Sequence, residues 1–216
     1  MKILGIAILL VFIFAASRWW RQRQRRYREQ LIERYGYRSL LDQRLAQHRP
    51  TLTVAQREMV FEGLKQYFHL CNAAGQQMVA MPSQVVDDAW HEFILFTRAY
   101  QRYCEQALGR FLHHTPAEAM SSPTVAQDGI KRAWRLACQR EGINPKQPAK
   151  LPLLFAIDGL LGISNGFRYQ LDCMAAGQAG SGYCASHIGC GGGCSGDSGD
   201  ASDSGGSGCG GGCGGD

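Results

Sequence analysis

Between Ile3 and Ala16 the chain carries no polar side chain (ILGIAILLVFIFAA), and such a run finds no stable place on the surface of a water-soluble domain. Counted through Trp20, it would span about 27 Å as a helix, enough to cross the hydrocarbon of a bilayer. Trp19 and Trp20 then fall at headgroup level, among Arg18, Arg21, Arg23, Arg25, Arg26 and Arg28. Lys2 alone precedes the run, so the positive-inside bias puts the N-terminus outside and everything after Trp20 in the cytoplasm. The sequence therefore predicts a single-pass cell-membrane anchor over residues 1–20, with anionic lipid head groups as partner of the segment Arg18 to Arg28. A cleaved signal peptide is the competing reading, because Ala15-Ala16-Ser17 resembles a small-residue cleavage site. The arginine block opposes export of the chain beyond it.

The net charge of +5 is unevenly placed. Residues 1–49 hold eleven Lys and Arg against three acids, residues 50–174 are nearly balanced, and residues 175–216 hold four Asp and no base. Basic character confined to the flank of an apolar run fits a membrane surface better than nucleic acid.

Residues 21–49 read as an Arg-rich juxtamembrane helix with a thin apolar stripe of Leu31, Tyr35, Leu41 and Leu45, broken at Gly36. A helical domain spans 50–174. Thr53 with Gln56 forms a capping box opening a helix through about Asn72, whose buried face holds Val60, Phe61, Leu64, Phe68 and Cys71. After Gly75 and Pro82, Ser83 caps a second helix to about Leu108, with Val86, Trp90, Phe93, Thr97, Tyr100, Cys104 and Ala107 at helical spacing and Gly109 as its end. The two make an antiparallel hairpin. Pro123 starts a third helix that Gly142 stops, with Val125, Ile130, Ala133, Trp134, Ala137 and Cys138 inward. Leu153 to Ile163 is a short buried core helix. No period-two alternation appears, so the predicted class is all-α with few or no strands. Residues 175–216, rich in Gly, Ser, Asp and Cys, cannot offset the entropy of folding and read as a disordered tail.

The segment Met81 to His114 (MPSQVVDDAWHEFILFTRAYQRYCEQALGRFLHH) carries Asp87, Trp90, His91, Tyr100, Cys104, Gly109 and His113 or His114 in a recognisable pattern. It resembles the glycine-rich domain-containing protein-like family, over about Thr53 to Tyr169. The resemblance implies a helical domain and brings no agreed activity.

Asp87 and His91 stand four apart, so on a helix they share a face. In a hairpin turning near Val79, residue 67 lies level with 91 and residue 71 with 87. His69, Asp87 and His91 then form a candidate site for zinc or another divalent metal, with Asp88 or Cys71 as further ligands. An unbroken helix from His91 to Leu108 is about 25 Å long, whereas the residues beyond it reach back at most about 18 Å. His113 and His114 are accordingly expected to miss His91. In the tail, Cys190 and Cys194 repeat as Cys209 and Cys213 with the same three-glycine spacer, a candidate soft-metal site in a reducing compartment. Cys71, Cys104 and Cys138 read as small buried hydrophobes. With no phosphate-binding glycine loop and no nucleophile elbow, the leading reading is a non-enzymatic, membrane-tethered scaffold with a protein partner. The alternatives are a metal-dependent hydrolase centred on His91, or metal handling by the tail.

Overall fold

The computed structural model describes residues 2–114, 123–171, 183, 184 and 188, with side chains from residue 9 onward except at 123, 124, 183 and 184. The tail cysteines Cys190, Cys194, Cys209 and Cys213 lie outside the described residues.

The fold is mostly helical, as expected. Helix α1 (Lys2–Arg34) stops before Gly36, and α2 (Tyr37–His48) starts directly after it. Helix α3 (Val54–Ala74) opens on the predicted capping box: the Gln56 N–H donates to Thr53 Oγ1 at 3.3 Å, and the Thr53 N–H donates to Gln56 Oε1 at 2.8 Å. Helix α6 (Pro123–Glu141) ends before Gly142, whose φ of 66° is the left-handed region glycine tolerates. Helix α7 (Leu153–Leu160) is short and buried on one face, and Tyr169–Gln170 pairs in parallel with Tyr183–Cys184.

The core lies between α2, α3, α4 (Gln84–Leu95) and α7. Its fully enclosed side chains include Leu41 and Leu45 of α2, Leu64 and Phe68 of α3, Val86 and Phe93 of α4, and Ile157 of α7. Each such burial stabilises by about 1.5–3 kcal/mol before entropy is counted. The end of α1 enters the same core at Ile32, which is fully buried. Gly63 lets α3 and α4 approach closely, since a Cβ there would stand 2.8 Å from Val86 Cγ2. Two residues expected to face inward do not: Thr97 and Val125 are exposed.

Thr97 is exposed because the helix predicted over 83–108 is not continuous. It ends at Leu95, Phe96 leaves the helical region with ψ 56°, and α5 (Thr97–Tyr103) starts in a new direction. A π-helical turn, Cys104–Leu108, comes next, and Gly109 closes it at φ 70°. Aromatic packing accounts for the bend. In a straight helix Phe93 and Tyr103 would lie about 15 Å apart along the axis, yet their ring centroids are 5.2 Å apart, as are those of Phe93 and Tyr100. Tyr103 also reaches Tyr37 of α2, hydroxyl to hydroxyl at 2.6 Å.

The expected membrane crossing is not found: among the described residues no helix is long and apolar enough to cross a membrane. The described side chains of the apolar run, residues 9–16, amount to about 12 Å of helix.

Candidate metal centre

Helix α4 is fixed at its start by a buried acid. Asp158 of α7 is almost fully enclosed, and its carboxylate accepts four bonds: from Ser83 Oγ (2.8 Å) and the N–H of Val85 (3.2 Å) at Oδ1, and from the N–H of Gln84 (2.8 Å) and Phe167 (2.8 Å) at Oδ2. Such a charge satisfies the open N–H groups of a helix N-terminus and favours its dipole. Ser83 adds the expected side-chain cap on Val86 N–H. From this anchored turn successive residues leave on defined faces. Asp88 and Glu92 point to α2 and the residue after it, where Arg49 Nε donates to Asp88 Oδ2 at 2.7 Å and Arg44 of α2 pairs with Glu92. Trp90 points inward. Asp87 and His91 share the remaining face.

Trp90 positions the other half of the centre. Its indole N–H donates to the Tyr100 hydroxyl at 3.1 Å, and that hydroxyl donates to the Leu112 carbonyl at 2.5 Å. Arg110 Nε donates to the Gly75 carbonyl at 2.8 Å. The segment after Gly109 is thus tied down at two points, and His114 comes to rest on α4.

There His114 Nε2 lies 3.0 Å from Asp87 Oδ1, and His91 Nδ1 lies 3.5 Å from Asp87 Oδ2. The two imidazole centroids are 4.1 Å apart, and His114 stands edge-on to Trp90 at 4.7 Å. One ligand atom from each of the three residues lies within 4.8 Å of the other two. Exposure is graded: the His91 side chain is 49% exposed, Asp87 19% and His114 15%. Burial raises the Asp87 carboxyl above its usual range, while the charges of His91 and His114 pull it back. Two imidazole nitrogens and a carboxylate oxygen at these separations can share protons or hold a divalent ion.

Two expectations about this site are corrected. His114, expected to fall short, reaches the centre because the bend at Phe96 and the left-handed Gly109 shorten the return path. His69 is not part of it. The predicted heights hold, since Tyr67 packs on Trp90 at 5.0 Å, but His69 is two residues on, about 200° around α3. It faces α1, where its Nε2 lies 2.9 Å from Glu33 Oε2. Asp88 is committed to Arg49, and the Cys71 thiol is buried, with burial pushing it up to about 12. Cys104 and Cys138 are buried as well. His113 packs against Phe111 at 4.7 Å.

A family model described as UCP032817-like matches residues 27–188. This is the family the comparison supports, and it replaces the glycine-rich domain-containing name. No curated protein and no solved structure matches the chain.

Proposed function

The chain belongs to the UCP032817-like family, whose description carries no activity, and from that premise we propose that the protein is a membrane-tethered helical interaction module. The observation that carries this reading is the make-up of α1. Leu9 to Phe14 are each between 54% and 71% exposed, and Trp19 and Trp20 are equally open. So large a continuous apolar surface marks a binding site rather than a solvated end. The same helix then carries the arginine run and ends with Ile32 inside the core. Arg18 and Arg23 lie over the rings of Phe14 and Trp19, at 5.9 and 5.4 Å to their centroids. Aromatic rings and guanidinium groups in this order match the boundary between hydrocarbon and anionic head groups. The apolar run, completed by residues 3–8, enters the bilayer, and the charge bias keeps the helical domain on the cytoplasmic side.

Fractionation of cells expressing the full chain tests the reading. The protein should stay in the membrane pellet through alkaline carbonate washing, and a reporter fused after Asp216 should be active only when cytoplasmic folding supports it. Recovery of the full chain in the soluble fraction would overturn the tether, and reporter activity outside the membrane would overturn the orientation.

A further inference from the structure

The Asp87, His91 and His114 centre takes no part in the tether, and its most exposed member contributes little to packing. We propose that it is a binding site for one divalent transition metal of the zinc class. The protein ligands are a carboxylate oxygen of Asp87, Nδ1 of His91 and Nε2 of His114, and at least one coordination position is left to water.

Distance is the first support. A tetrahedral ion with bonds of about 2.0–2.1 Å holds neighbouring ligand atoms roughly 3.3 Å apart. His114 Nε2 stands 3.0 Å from Asp87 Oδ1 and His91 Nδ1 stands 3.5 Å from Asp87 Oδ2, so each imidazole lies near that spacing from one of the two carboxylate oxygens. One ligand atom from each of the three residues lies within 4.8 Å of the other two, and rotation of the half-exposed His91 ring can gather them onto one ion. The ligand atoms already face one another, so an ion displaces the protons between them without rebuilding the backbone.

Donor chemistry is the second. The cluster offers one carboxylate and two imidazoles whose ring centroids lie 4.1 Å apart, a mixed oxygen and nitrogen set that suits a borderline-soft dication such as zinc.

The supporting groups are the third. Asp158 fixes the start of α4, and the Trp90 and Tyr100 bonds fix Leu112, two residues before His114. Metal centres depend on such outer groups to hold their ligands in place. Among the described residues no fourth ligand joins the cluster. Three protein ligands with an open position is the arrangement of a zinc centre that polarises a bound water.

Cobalt(II) titration of the detergent-solubilised full chain separates this site from the tail thiols. Nitrogen and oxygen ligands give ligand-field bands alone, whereas thiolates add intense charge-transfer absorption. Cobalt should bind with ligand-field bands, and the affinity read from their titration should fall by about 100-fold or more in His114→Ala and in the near-isosteric Asp87→Asn, while His113→Ala leaves it unchanged. Helical circular dichroism of each variant establishes that it is folded. Purely thiolate spectra, or affinity within about twofold of wild type in both folded variants, would overturn the proposal.

Discussion

The Tyr100 hydroxyl stands between two partners twelve or fewer residues away, accepting from the Trp90 indole and donating to the Leu112 carbonyl at 2.5 Å. That second bond closes the path by which the chain returns to α4, so Tyr100 governs a contact it does not itself make.

Tyr100→Phe removes this hydroxyl while keeping the ring on Phe93. It leaves a buried indole N–H and a buried carbonyl unpaired, and stability should fall by about 2 kcal/mol in urea unfolding. The NMR signals of His114 should move more than those of His69, which lies on the far side of α3.

Asp158→Asn should cost about 3 kcal/mol or more, again read by urea unfolding. Each carboxylate oxygen accepts from at least one backbone N–H, so the amide nitrogen must face such a donor whichever way it turns, and two of them in one orientation. The helical signal should survive at low denaturant, because the change loosens one helix start and leaves the aromatic core intact.

Gly109→Ala should destabilise by about 1–2 kcal/mol through its positive φ alone. A Cβ there also meets the Arg28 guanidinium at 2.0 Å. In the double variant with Arg28→Ala, thermal unfolding should recover only the steric part of the loss.

Acid sensitivity should arise at the contact of α1 with α3. Burial lowers the His69 pKa from 6.5, with Glu33 partly opposing it. The unfolded chain therefore takes up this proton first, and stability intact above 6.5 is lost as pH falls toward the folded value. Glu33 adds a later loss: burial raises its carboxyl, hydrogen bonds from His69 and Lys65 outweigh that, and its net pKa lies below 4.5. Lys65 at 3.1 Å and Arg140 at 3.7 Å face the same carboxylate. The melting temperature of His69→Gln should lack the first decline and keep the second; identical pH profiles for both proteins would refute the assignment.

Much of the helix map was legible because its signals are local. Thr53 with Gln56, Ser83, Gly36, Gly109 and Gly142 act through their own backbone neighbours, and each stands where a helix starts or stops. Phe96 carries no such signal. The stretch around it holds neither Gly nor Pro, and the bend comes from rings on α2, α3 and α5 that sequence spacing does not bring together. Without that bend His114 falls short of α4, and the site lacks its third member. His69 departs from its expected place in azimuth and not in height, since a hairpin fixes level while helix rotation depends on the third neighbour, α1. Asp158 did leave a trace: a lone acid within LPLLFAIDGLL must be buried, and a buried carboxylate needs donors.

Helix α1 is a single 33-residue rod in which Leu9 to Phe14 stand exposed and Ile32 is clamped in the core. Its phase is therefore the protein's compass bearing. Adding one residue between Trp20 and Arg21 would swing the head by about 100° relative to Leu9–Phe14 and raise it by about 1.5 Å, pointing the face that bears His91 toward a different quarter of its surroundings with Arg28 still beside Gly109 and Ile32 still in the core.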